Sequence, residues 1–193
     1  MFMKLKLYKI LLPFLFVIST QYCSSIPKSQ TQSIKTEIDS MAKETKDLIL
    51  EHYPDSKSIS ENAFGIAIFE NFGFKFMFFG STRGRGLAIN KKTNEKTYMK
   101  MRELHPGFGF GGQHFKTLFI FDTKDAYESF IESGWEFGGN ILATSNITSK
   151  GGGLRYGKTI SRSVTMVQLS EKGFIVGISI TGGKYYKIEE LNL

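Results

Sequence analysis

The sequence predicts an α+β fold: an antiparallel, β-rich single domain with an N-terminal amphipathic helix and one further helix near residues 123–133. Three observations carry this. Apolar residues recur at three- and four-residue steps over Ile34–His52. From Ala63 onward the period drops to two, in short aromatic-rich runs punctuated by turn residues. The 193-residue length, less an N-terminal leader, is that of one domain.

In the first helix Ile34, Ile38, Met41, Thr45, Leu48, Ile49 and His52 form one stripe, and Pro54 stops it. Lys35, Glu37, Asp39, Lys43, Glu44, Lys46 and Asp47 fill the other faces. The stripe is expected to pack on the domain. A membrane-surface role suits it less, because the polar face mixes both charge signs. Phe64–Phe72 and Phe74–Phe79 read as strands divided at Gly73, and Ser81-Thr82-Arg83 as a turn leading into a strand over Gly84–Asn90. Lys91–Glu95, containing Asn94, reads as a polar hairpin loop, after which Thr97–Met101 alternates again. Gly107–Phe121 is a long strand, glycine-rich and then apolar. Asp122-Thr123-Lys124-Asp125 supplies the cap and acidic first turn of the second helix, which Gly134 closes. Its inward stripe is Ala126, Tyr127, Phe130 and Ile131. Ser145–Gly153 reads as a loop. Ser163–Leu169 and Gly173–Ile188, bent at Gly182-Gly183, read as the last strands.

Ahead of the domain, Lys4, Lys6 and Lys9 precede an apolar run over Ile10–Ile18 and then small and polar residues up to Ser25. That is the layout of a secretion signal, and the run is short of the roughly 20 residues a membrane span needs. Residues 1–23 are therefore expected to be a signal peptide and residues 24–32 a polar tether, with the domain over residues 33–193. Cys23 stands where bacterial lipoprotein processing cuts and acylates, although Tyr22 fits poorly beside such a site. The alternatives are an acyl anchor on Cys23 or ordinary cleavage nearby.

The formal charge of +7 falls once the leader is removed: 25 Lys and Arg less three leaves 22 against 18 acids, a net of +4. A mildly basic domain suits anionic lipid better than nucleic acid, which calls for a dense basic stripe. One cysteine excludes an intramolecular disulfide and a cysteine zinc cage. His52, His105 and His114 are too scattered for a metal site, so neither metal nor cofactor is expected.

Gly107-Phe108-Gly109-Phe110-Gly111-Gly112 meets the glycine spacing of a dinucleotide loop, but strand rather than helix follows it. Its glycines instead suit close approach of a backbone or ring. Arg83 and Arg85 flank Gly84, and Lys91, Lys92, Lys96, Lys100 and Arg102 follow within one hairpin. Arg83, Arg85, Lys91, Lys92 and Lys96 are candidate lipid-headgroup ligands, since guanidinium groups contact phosphate in a bidentate manner. A solvated hairpin edge is the plainer alternative. Trp135-Glu136-Phe137-Gly138 reads as core or sheet-edge packing. No nucleophile elbow, Cys–His pair or close carboxylate pair appears, so no enzyme is expected.

The order of these segments resembles the SYLF domain family. Ala63-Phe64-Gly65-Ile66-Ala67-Ile68-Phe69, Gly84–Ala88, Gly107–Gln113 leading into Leu118–Phe121, Trp135–Gly138 and Lys172–Ile180 follow one another as in that family. The resemblance covers Asp39–Ile188. Where the family often has Gly-Ala-Asp, this chain has Gly138-Gly139-Asn140. The resemblance implies a non-enzymatic lipid-binding module, exported or lipid-anchored in bacterial members. Its expected partner is membrane phospholipid, and the expected location is the cell envelope. The other reading is an envelope scaffold or protein-interaction domain whose only membrane contact is the Cys23 anchor.

Overall fold

The computed structural model describes residues 26–104, 108–134, 136–137, 145–147, 155–161, 163–177 and 182–193. Cys23 and the rest of the expected leader lie outside the described residues, as do His105 and Trp135. The chain is an α+β domain. Helix α1 (Lys28–His52) leads into a short α2 (Asp55–Asn62), then strands β1 (Gly65–Met77), β2 (Phe79–Asn90), β3 (Lys96–Leu104) and β4 (Gly109–Phe121). Helix α3 (Lys124–Ser133) follows, then β5 (Glu136–Phe137), β6 (Ser145–Ile147), β7 (Arg155–Ser161), β8 (Val164–Gly177), β9 (Gly182–Lys187) and a final 3-10 turn at Glu189–Leu191. Among the described residues these strands form one antiparallel sheet in the order β5-β9-β3-β2-β1-β4-β8-β7-β6.

β1 is the middle strand. It pairs with β2 from Gly65↔Asn90 to Phe76↔Phe79 and with β4 from Gly65↔Phe121 to Met77↔Gly109. Alternation then assigns two faces. Ile66 and Ile68 of β1, with Leu87, Leu118 and Ile120, receive the α1 stripe of Ile38, Ala42 and Ile49. Ala67 and Phe69, with Phe119, Phe121 and Tyr185, receive Tyr127 and Phe130 of α3 on the opposite face. Phe69 lies 4.6 Å from Tyr185 and 6.1 Å from Phe119, both edge-on, within the usual range for aromatic pairs.

The helix at 123–133 forms as expected. Thr123 caps it, accepting from the Ala126 amide at 3.4 Å, and Gly134 closes it at φ 65°. α1 starts earlier than expected, so residues 28–32 belong to the helix, and Ile26 packs against the core. Pro54 ends α1 but also serves as N-cap of α2, a helix the sequence pattern did not suggest.

Four strand assignments differ from expectation. β1 runs through Gly73, and β2 runs through Ser81-Thr82-Arg83, so the hairpin turn lies at Met77-Phe78. Met77 takes the turn's positive φ of 55° without a glycine. β8 continues without a break through residues 170–172, and Ser145–Ile147 of the expected loop is strand. The Lys91–Glu95 loop is as expected, with Asn94 at φ 58°.

Candidate functional site

β1, β2 and β4 extend past α1 and α3 to one end of the sheet. There Phe72, Phe74 and Phe76 alternate on one face while Asn71, Gly73 and Lys75 are buried on the other. The registers place the exposed face in successive rows. Phe76, Phe79 and Phe110 form the outermost row. Phe74, Ser81, Leu104 and Gly112 form the next, followed by Phe72, Arg83, Arg102 and His114. The innermost row is Glu70, Arg85, Lys100 and Lys116, and inside it the helix-covered core begins.

The outer rows are apolar and open to solvent. Phe76 is 65% exposed, Phe78 at the turn 67%, Phe79 60% and Leu104 59%. The rings contact one another, Phe76 lying 5.6 Å from Phe110, Phe110 5.3 Å from Phe108, and Phe108 5.4 Å from Phe78. A contiguous exposed aromatic surface of this kind marks an interaction site in a folded protein.

The inner rows are basic. Arg83 and Arg102 lie side by side, both exposed, with no carboxylate partner among the described residues. Lys100 is half-buried with its Nζ 5.0 Å from the Tyr186 ring centre. Glu70, the acid of these rows, accepts from Lys116 Nζ at 2.7 Å and lies 3.1 Å from His114 Nε2. Burial works to raise its carboxyl, but the Lys116 hydrogen bond and the charges of Lys116, His114 and Arg85 hold it below the ordinary glutamate value. Its charge is thus taken up locally and leaves the Arg83–Arg102 pair uncompensated.

The five residues expected to contact headgroups do not sit together. Arg83 and Arg85 project from β2 on the open face, in a strand rather than a turn, and Arg85 pairs with Glu37 of α1. Lys91, Lys92 and Lys96 lie at the far end of the sheet, 11 residues along β2 from Phe79, or about 36 Å at 3.3 Å per residue. Each is engaged there. Lys91 Nζ donates to the Ser60 carbonyl and, at 2.9 Å, to the Glu61 carbonyl, closing the C-terminus of α2. Lys92 lies 5.4 Å over the Phe64 ring, and Lys96 reaches Asp39 at 2.8 Å. Between α1 and the sheet is an open groove of about 340 Å³, lined by Asp39, Lys43, Lys46, Ile68, Leu87 and Lys96.

From sequence the aromatic rows were read as strands, with no side assigned to their rings. The Phe-x-Phe-x-Phe step over Phe72–Phe76 with Lys75 on the alternate face predicts the rings inward and the lysine outward, the reverse of what is found, so no sequence signal marked this open face. The glycines of Arg83-Gly84-Arg85-Gly86 do what was expected of Gly107–Gly112. A Cβ on Gly86 would stand 1.9 Å from the Ile68 carbonyl oxygen, whereas one on Gly112 meets nothing closer than 3.7 Å.

Among the described residues, no group of His, Cys, Asp and Glu could hold a metal, and no helix is long and apolar enough to cross a membrane. What the geometry defines is an α+β domain with one wet aromatic sheet end bordered by arginines. The chain is 27% identical over 165 residues to Beta cell expansion factor A of Aeromonas veronii. The match covers 86% of this chain and 61% of that protein, so the chain spans about three fifths of its curated relative. No family model matches the sequence.

Proposed function

We propose that this is a SYLF-type, non-enzymatic lipid-binding protein of the cell envelope that contacts anionic phospholipid through the open end of its sheet. The carrying observation is the exposed Arg83–Arg102 pair, without carboxylate partners among the described residues and directly behind an exposed aromatic surface. Apolar burial beside cations that meet anionic headgroups is the general recipe for interfacial binding. The order of segments over Asp39–Ile188 supports the family reading, and the similarity to a curated relative over 86% of the chain is in keeping with its extent. The leader and Cys23 support export and an acyl anchor in addition. α1 has a smaller part than an amphipathic helix would suggest, because Ile38, Ala42 and Ile49 are already buried against the sheet.

Co-sedimentation with vesicles tests this, using the chain from Ser24, which retains every described helix and strand. The expected result is binding to vesicles containing about one third anionic phospholipid and little binding to neutral ones. Equal binding to both, or to neither, overturns it. Absence of binding by this chain, together with a stable protein partner recovered from envelope extract, would support the scaffold reading instead.

A further inference from the structure

Accepting that the open end meets lipid, we infer that the Phe76–Phe78 hairpin tip enters the hydrocarbon of a single leaflet, with the Arg83–Arg102 row halting at the headgroups. Three features of the end point to a bilayer rather than a protein partner. The first is depth. Arg83 lies five residues on from the turn residue Phe78, about 17 Å at 3.3 Å per residue. Half of a hydrocarbon core of about 30 Å is about 15 Å, so tip and arginines are spaced to one leaflet. The second is charge placement. On the exposed face, no described side chain ahead of the Arg83 row carries a charge. Lys75 and Glu103 reach that depth only on the opposite face, where Lys75 is 3% exposed.

The third is the backbone. Hydrocarbon admits a strand only when its amides and carbonyls are already paired. The β1–β2 ladder runs to Phe76↔Phe79, the β1–β4 ladder to Met77↔Gly109 and the β4–β8 ladder to Gly109↔Gly177, so β1 and β4 are paired on both sides to the tip, while the β2–β3 ladder ends two residues short of it at Ser81↔Leu104. A second copy of the chain would bring another Arg83–Arg102 row towards the first, whereas an anionic leaflet supplies the opposite charge.

The chain from Ser24 contains no cysteine, because Cys23 is the single one in the sequence. Phe78→Cys and, at the far hairpin, Thr93→Cys can each carry an environment-sensitive fluorophore. On vesicles with about one third phosphatidylglycerol, the label at position 78 should shift to shorter wavelength and be quenched by spin labels deep in the acyl chains. The label at 93 should do neither. Phe76→Ser/Phe78→Ser/Phe79→Ser, all at exposed positions, should keep the parent's far-ultraviolet circular dichroism and bind these vesicles at least tenfold more weakly. Vesicle binding with no deep quenching at 78, or undiminished binding by the triple variant, overturns insertion and leaves headgroup binding standing. Failure of the unlabelled chain to bind any vesicle removes both. A dimer abolished by the triple substitution, with no quenching at 78, assigns the tip to a second copy and overturns the inference.

Discussion

Gly84 and Gly86 alternate with Arg83 and Arg85 and look like turn residues, yet both lie inside β2, where the neighbouring strand crowds them. A Cβ on Gly86 would meet the Ile68 carbonyl oxygen at 1.9 Å and Phe69 Cδ1 at 2.7 Å. The backbone of the central strand cannot give way cheaply, so Gly86→Ala should cost about 1–3 kcal/mol in urea unfolding. Gly112→Ala, with its nearest neighbour at 3.7 Å, should stay within about 0.5 kcal/mol. Equal losses would mean that β1 and β2 are not so closely apposed. Glu103 gives a second test at this scale. Burial pushes its carboxyl up to about 7 from 4.5. Between those values the folded chain holds a proton that the unfolded chain has released. Its contribution to stability is therefore complete below about pH 4.5 and is lost as pH rises through about 7. Glu103→Gln should flatten the melting temperature between pH 5 and 8, where the parent declines. An unchanged pH profile would place the carboxyl in an ordinary setting.

α1 is joined to the sheet in two ways of unequal weight. Arg85 pairs with Glu37, Lys96 with Asp39 at 2.8 Å, and the Tyr98 hydroxyl donates to Asp39 at 3.2 Å. The charged members of the two ion pairs are 33–57% exposed, and such solvent-screened pairs contribute little. Ile49, by contrast, is fully buried. Ile49→Ala should cost about 2–5 kcal/mol, and Glu37→Gln about 1 kcal/mol or less, both read from denaturant midpoints. A larger loss from Glu37→Gln would show that the ion pair holds the helix. The two longer helices were legible because a buried stripe must repeat every three or four residues, and Ile38, Ala42, Ile49, Tyr127 and Phe130 do so. The β1–β2 turn was not legible. Gly73 suggested a break but faces the buried side, while the turn falls on Met77 and Phe78, neither of which signals one. α2 was missed for a related reason: Ser56 and Ser60 are its buried residues, so it has no apolar stripe to betray it.

At the scale of the whole molecule, the sequence showed a modest excess of positive charge but not where it lies. Residues close in the chain are set apart along β2: Arg83 stands behind the aromatic end, Arg85 at mid-strand, and Lys91, Lys92 and Lys96 at the far end. Along β2, Arg83 is seven residues from the strand's end at Asn90, about 23 Å at 3.3 Å per residue, roughly twice the Debye length of about 10 Å at 0.1 M salt. Arg83 and the far-end lysines Lys91 and Lys92 therefore cannot act on one headgroup region when the sheet stands end-on to a membrane. Each cation at an anionic surface contributes about 1 kcal/mol, so reversing one changes binding by about twice that. Arg83→Glu should weaken binding to anionic vesicles at least tenfold at low salt and reduce its salt dependence. Lys92→Glu makes the same change in net charge at the exposed far end and should leave both within about twofold. If the two substitutions weaken binding equally, overall charge rather than orientation governs the encounter, and an end-on arrangement is excluded. If only Arg83→Glu acts, the binding that remains at high salt should depend on Phe76, Phe78 and Phe79, because burial of their rings is not screened by ions.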